Sequence, residues 1–282
     1  MTVKRVYSQN ADYQRFEVLK SNRSKRYHYR QFFVEGVRNI NTALQNGWHI
    51  CSFLYTPDKP LSDWAKGLLS SIHTDVNYEL SGPLMAKLSG KSDTSELMAI
   101  AAMRPDTPDQ LKLSENPLLM LFDRPSNRGN LGTMIRSCDA LGADGLILTG
   151  HGVDLYDPEV VGASMGSFFN LPVIRLADNQ SLFDYLNALK SRFPTFQTVG
   201  TTAHRQHPLY AAPLDGPLLL MVGNETEGLS RTFKESCDLL VTIPMAEQGA
   251  ASSFNVACAA SILLYEAVRQ RTVTAPSPPE AP

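Results

Sequence analysis

The sequence predicts an α/β protein, with a mostly parallel sheet covered by helices on both faces and a smaller α/β domain in front of it. Three observations predict this. From residue 117 onward, apolar segments of strand length alternate with segments of helical period, as in a parallel sheet with crossover helices. Residues 1–104 hold the same two kinds of segment in a less regular order. Between them, residues 105–117 are polar and proline-containing, as connectors are. The expected organisation is therefore a small domain over 1–104, a linker over 105–116, a large domain over 117–271 and a proline-rich, disordered tail over 272–282.

In the first part, the segment KSNRSKRYHYR carries Lys20, Arg23, Lys25, Arg26 and Arg30 with no acid among them. A charge run by itself reads as a solvated helix face. This one leads into FFVEGVRNINTAL, which alternates apolar and polar residues and then takes helical spacing through Val37, Ile40, Ala43 and Leu44. A basic rim on an ordered element suits a nucleic-acid surface. Strands follow over 50–55, 75–78 and 96–102, with helices over 63–71 and 83–88. In the large domain, strands are expected over 118–122, 146–148, 173–176, 198–201, 218–222 and 239–243. Helices are expected over 131–141, 159–168, 181–191, 229–235 and 253–271. Parallel sheets of this kind bind ligands in loops at the carboxyl ends of their strands.

Bulk properties exclude several classes. Of the 282 residues, 43% are hydrophobic and 19% charged, which fits a globular protein rather than a disordered one. The apolar runs are too short to cross a bilayer, and the first residues lack the apolar core of a signal peptide. Cys51, Cys138, Cys237 and Cys258 form no CxxC pair, so reduced thiols, a cytoplasmic location and no metal are expected. The net charge of −2 carries no hint of a partner, and only the charge distribution does.

Three segments carry candidate chemistry. In LFDRPSNRGNLGTMIRSCDALGADGLIL, a strand ends near Phe122, a polar loop follows and a helix begins near Asn130. Leu131, Met134, Ile135, Cys138 and Leu141 form its buried stripe, leaving Asn130 and Arg136 off that stripe. Neither a dinucleotide fingerprint nor a Walker A sequence is present. In LLLMVGNETEGLS, a strand runs into Gly223, Asn224 and Glu225. Glycine there admits a close neighbour, and Glu225 suits a helix-capping acid. In LLVTIPMAEQGAASSFNVACAASILLYEAVRQR, Ser252 or Ser253 suits a helix N-cap, and Asn255 stands among apolar residues where a polar group packs poorly.

Together these segments resemble the motifs of the SpoU/TrmH-type branch of the SPOUT superfamily of RNA 2′-O-ribose methyltransferases. The first motif matches Asn127, Gly129, Asn130, Gly132 and Arg136. The second matches Gly223-Asn224-Glu225, and the third Ile243-Pro244-Met245 with Ser253-Phe254-Asn255. Phe254 replaces the usual leucine and keeps the position apolar. The stretch from Asn22 to Arg38 is similar to the L30e-like substrate-binding domain often joined to this family.

The resemblance implies a carboxyl-terminal trefoil knot, S-adenosylmethionine as cofactor and a homodimer. It implies Asn130, Arg136, Glu225, Ser253 and Asn255 as catalytic residues. Thr201, Gly223, Asn224, Ile243, Met245 and Phe254 are implied as cofactor contacts. Arg23, Lys25, Arg26, Arg30 and Arg38 are the candidate RNA contacts. The implied reaction is methylation of a ribose 2′-hydroxyl, with 23S ribosomal RNA favoured as substrate. A tRNA ribose methyltransferase and a non-catalytic RNA-binding or ribosome-assembly protein are the alternatives. Arginine rarely gives up its proton, so Arg136 is expected to act by charge rather than as a conventional base.

Overall fold

The computed structural model describes residues 2–91, 93–176, 178–203 and 207–274. The chain forms two compact units, one of residues 1–104 with 154–170 and the other of residues 105–153 with 171–282.

In the first unit, strands β1 (Val3–Val6), β2 (Gln31–Glu35), β3 (Ile50–Tyr55), β4 (Asn77–Leu80) and β5 (Leu97–Ala102) form one sheet. Their order is β1-β4-β3-β5-β2, parallel except where β5 runs antiparallel to both neighbours. Helices α1 (Ala11–Ser21), α2 (Arg23–Tyr29), α3 (Val37–Gln45), α4 (Asp63–Ser71) and α5 (Gly82–Ser89) complete it. Tyr13, Phe16 and Leu19 of α1 pack with Phe33, Leu54, Met85 and Ile100 in its core. Asn22 ends α1 and starts α2, its side chain accepting from the Lys25 amide at 3.1 Å.

Residues 154–170 join this unit for a specific reason. Arg26 is 1% exposed, and its guanidinium meets Asp154 at 2.6 Å and Asp157 at 3.5 Å while donating to the carbonyls of Leu19 and Lys20. A buried guanidinium needs such complete pairing. Nearby, the Trp48 indole donates to the Phe169 carbonyl at 2.9 Å within a cluster of Phe32, Trp48, Tyr156, Phe168 and Phe169 rings. The single helix expected over 159–168 is instead two, α7 (Pro158–Ala163) and α8 (Ser167–Asn170). Left-handed backbone at Met165 (φ 53°) and Gly166 (φ 98°) breaks it, and a Cβ on Gly166 would lie 3.0 Å from Thr42 Oγ1.

The second unit contains β6 (Leu118–Asp123), β7 (Gly145–Thr149), β8 (Val173–Leu176), β9 (Gln197–Thr201), β10 (His207–Pro208), β11 (Leu218–Val222) and β12 (Leu239–Thr242). All pairings in its sheet are parallel, in the order β10-β12-β9-β11-β6-β7-β8. From β6 the chain first builds outward through β7 and β8, then crosses to the other side through β9 and β11. The switch point therefore lies between β6 and β11. Its helices are α6 (Arg128–Ala140), α9 (Asn179–Arg192), α10 (Arg231–Ser236) and α11 (Val256–Thr274). Leu131, Met134, Ile135 and Cys138 of α6 are buried as their spacing predicts.

Two boundaries differ from expectation in ways that matter. Helix α11 starts at Val256 rather than Ser253, because Asn255 is its cap, accepting from the amides of Ala257 (2.9 Å) and Cys258 (3.4 Å). At the other end it continues to Thr274, three residues into the stretch expected to be a disordered tail, whose residues 275–282 lie outside the described ones. Arg271 fastens this end to the carbonyls of Asn116, Pro117 and Gly216, which precede β6 and β11. The helix thus runs the length of the sheet, about 28 Å at 1.5 Å per residue. Within the stretch expected as a linker, Leu111 is buried with Leu119, Ile147 and Ile174 in the core of this unit.

Candidate active site

Because every strand of the second sheet points the same way, the loops after β6, β9, β11 and β12 all open at one edge. The registers set Met221 beside Gly200 and Val241 beside Thr201. Thr201, Gly223 and Ile243 therefore leave adjacent strands in one row. Thr201 is tied to its neighbour by donation to the Met221 carbonyl at 3.2 Å.

The loop after β6 and the loop after β11 meet at the switch point. Glu225 accepts from the Ser126 amide (2.9 Å) and hydroxyl, from the Asn127 amide (3.0 Å) and from Asn130 Nδ2 (3.2 Å). Asn127 is the N-cap of α6, its side chain accepting from the Asn130 amide at 2.9 Å. Glu225 is thus a helix-capping acid, but for a helix nearly a hundred residues away in sequence. Burial acts to raise the Glu225 carboxyl. The hydrogen bonds from Ser126 and Asn130 outweigh it and hold the group below the usual glutamate range. From the third segment, Asn255 Nδ2 donates to Asn130 Oδ1 at 3.0 Å. The three segments therefore share one chain of hydrogen bonds: Asn255 to Asn130 to Glu225.

The loop carrying Glu225 is rigidly closed. Asn224 and Gly228 exchange backbone hydrogen bonds, and the Asn224 side chain accepts from the amides of Thr226 and Glu227 while donating to the Arg124 carbonyl. A Cβ on Gly223 would fall 1.9 Å from the Gly228 carbonyl carbon. The close neighbour that requires glycine at 223 is the loop's own backbone. Asn224, expected as a cofactor contact, spends its side chain on this turn.

Arg124, absent from the candidates read in the sequence, closes the loop from the other side. It pairs with Asp123 and Glu227 and donates to the Gly228 carbonyl at 3.0 Å, with its own backbone left-handed at φ 53°. The sequence signal was its place between a strand-ending aspartate and Pro125, in a loop that must turn sharply.

Two expected catalytic residues stand apart. Arg136 is exposed and makes no hydrogen bond or ion pair with the described residues. It lies six residues after Asn130 on α6, roughly 9 Å along the axis and about 120° around it. Ser253 is exposed just ahead of α11. Ile243 and Met245 are half-buried and Phe254 is 41% exposed, so apolar surface borders the loops at the same edge. Apolar side chains, strand-end amides and a hydroxyl suit a purine nucleoside, so the residues fit the cofactor the motifs imply.

In the first unit, Arg23, Lys25, Arg30 and Arg38 are exposed, as RNA contacts require. Arg26 is not. Its charge is consumed by Asp154 and Asp157, so its assignment as an RNA contact is corrected. Lys20 is likewise occupied, donating to the carbonyls of Leu88 and Ser89 at the end of α5.

This arrangement defines a parallel-sheet protein with its polar site at the switch point, and the chain belongs to the SpoU rRNA Methylase family, whose family model matches residues 117–265. The SpoU L30e-like domain matches residues 10–99. Among its relatives is the 23S rRNA (uridine(2479)-2′-O)-methyltransferase of Streptomyces viridochromogenes, 41% identical over 95% of this chain and 93% of that one. The crystal structure of the SpoU methyltransferase AviRb from the same organism, in complex with AdoMet, aligns with a TM-score of 0.88. The identity is 40%, covering 93% of this chain and 98% of AviRb. An AdoMet-bound rRNA methyltransferase from Sinorhizobium meliloti aligns with a TM-score of 0.81 at 28% identity, covering 95% and 98%. The LFDRP, YDPE and GNETEGLS stretches, which resemble the avilamycin-resistance 23S rRNA ribose methyltransferase, lie within the residues that the SpoU family model matches.

Proposed function

We propose that this protein transfers a methyl group from S-adenosylmethionine to a ribose 2′-hydroxyl of 23S ribosomal RNA. The observation that carries the reading is the hydrogen-bonded chain Asn255–Asn130–Glu225, which joins three sequence-distant segments at the carboxyl edge of the sheet. The AdoMet complex of AviRb and the 23S rRNA activity in the name of the Streptomyces relative support cofactor and substrate.

The cofactor supplies an electrophilic methyl on its sulfonium, and the chain's residues do the rest. Thr201, Gly223, Ile243, Met245 and Phe254 bind the nucleoside along the strand ends, with Asn224 acting indirectly by holding the Gly223 turn. Asn130 and Asn255 fix each other through their side-chain amides and orient the ribose, and Ser253, two positions before Asn255 in the chain, adds an exposed hydroxyl. Glu225 holds Asn130 and the start of α6 in place. Orientation of this kind can supply on the order of 7–11 kcal/mol in the best cases. The Arg136 guanidinium binds phosphate and stabilises charge growing on the attacking oxygen.

Arg136 faces away from Asn130 within one chain, which supports a homodimer in which Arg136 serves the partner's site. A trefoil knot fits the sheet order, since β12 lies between β9 and β10 while α11 returns against α6. We infer that residues 1–104 bind RNA through Arg23, Lys25, Arg30 and Arg38, and that the protein works in the cytoplasm. Among the described residues no helix is long and apolar enough to cross a membrane.

The test is transfer of labelled methyl groups to 23S RNA, followed by alkaline-hydrolysis mapping of RNA from cells with and without the gene. One protected ribose in 23S RNA is expected. Label appearing only in tRNA would replace the substrate, and no transfer despite cofactor binding would favour a non-catalytic RNA-binding protein.

A further inference from the structure

Away from the methylase segments, β3 is irregular. Ile50 pairs with Ala101 and Ser52 with Ile100, leaving Cys51 as the extra residue of a β-bulge. Bulges re-aim side chains. Here the bulge is held by two further hydrogen bonds, since the Cys51 carbonyl accepts from the amides of Asp75 (3.0 Å) and Val76 (3.5 Å). The result brings His49, Cys51 and Asp75 together, with one ligand atom from each lying within 4.8 Å of the others. His49 Nε2 and Asp75 Oδ1 are 3.9 Å apart.

We propose that His49, Cys51 and Asp75 form a binding site for a divalent transition-metal ion of the zinc class. Imidazole, thiolate and carboxylate are the donors such an ion takes, at about 2.0–2.3 Å each. Ligand atoms on one tetrahedral ion lie roughly 3.3–3.8 Å apart by those bond lengths, so the cluster needs to close by only about 1 Å. His49 and Asp75 are exposed, while Cys51 is buried in the bulge. Three protein ligands leave the fourth position to water.

A second layer supports the thiolate. The Gln31 side chain favours the Cys51 thiolate, and Arg15 in turn donates to Gln31 Oε1 at 2.7 Å. Outer partners of this kind orient a ligand and stabilise its charged form. A nucleophilic Cys–His pair is the poorer reading, because Cys51 is 4% exposed and offers no substrate access.

The site does not depend on the methyl-transfer reading. The test is titration of cobalt(II), then zinc(II), into chelator-treated full-length protein. We expect one equivalent bound, with an intense thiolate-to-cobalt absorption that zinc displaces. Cys51→Ser should abolish the band, His49→Ala should weaken binding at least about tenfold, and Gln31→Ala by on the order of 10–100-fold. Cys258→Ser, at the exposed cysteine of α11, should change nothing. His49 is exposed, so its variant remains informative even if Cys51→Ser folds poorly. Absence of the band, its loss in Cys258→Ser, or equal binding by wild type and His49→Ala would overturn the proposal. Methyl transfer by the metal-free protein should persist.

Discussion

Arg136 and Glu225 show how differently two charged residues can serve one site. Arg136 is exposed and without partners among the described residues, so its removal leaves no buried group stranded. Arg136→Ala should lower the methyl-transfer rate by about 10²–10³, with cofactor affinity by calorimetry unchanged. An unaltered rate would remove Arg136 from the mechanism. Glu225 works as an anion, because every group it meets donates to it. Its folded pKa is depressed, so the stability it contributes is present above the ordinary glutamate value and lost as pH falls through the lower folded value. Melting temperature should accordingly drop on acidification below about pH 4, and Glu225→Gln should lose part of that dependence. If the variant's acid profile matched wild type, the carboxylate would have no such role.

At the scale of elements, the loops and helix starts of the site were only half legible. Glycine at 223 was readable as a close-approach position, yet the sequence could not say that the approaching group is Gly228 and Leu229 of the same loop. Gly223→Ala should therefore reshape the Glu225 loop, reducing cofactor affinity and activity together, whereas a loop open to ligand would tolerate a methyl group. Asn255 was readable as an anomalous polar residue. Its second task, capping α11, emerged only from where the helix begins. Asn255→Ala should lower stability by about 1 kcal/mol as well as reducing methyl transfer. Asn255→Asp should restore much of the cap but not the donation to Asn130, so stability and activity separate in that variant. For Arg124 the chain order marks only a sharp turn between Asp123 and Pro125, because the groups it clamps, Glu227 and the Gly228 carbonyl, lie far along the chain.

At the scale of the whole molecule, the Arg26 network explains why residues 154–170 fold with the amino-terminal unit. Arg26→Ala would strand Asp154 at 4% side-chain exposure, and a loss of about 3–5 kcal/mol in denaturant unfolding is expected. Lys25→Ala, one position away and exposed, should leave stability unchanged while reducing the salt slope of RNA binding by about one. Equal stability of the two variants would contradict the burial of Arg26.

The sequence by itself determined the alternation of strands and helices, the carboxyl-edge placement of Asn130, Gly223 and Ile243, and the family. Those depend on local periodicity and on short motifs whose residues are neighbours in the chain. Only tertiary structure decided which of five basic residues reach solvent, that Asp154 and Asp157 neutralise Arg26, and that Glu225 caps α6. It also gathered His49, Cys51 and Asp75 at one bulge. Each of these is a pairing of groups far apart in sequence, or a bulge that breaks strand alternation. Burial and charge compensation are set by what the fold brings alongside, which no local spacing records.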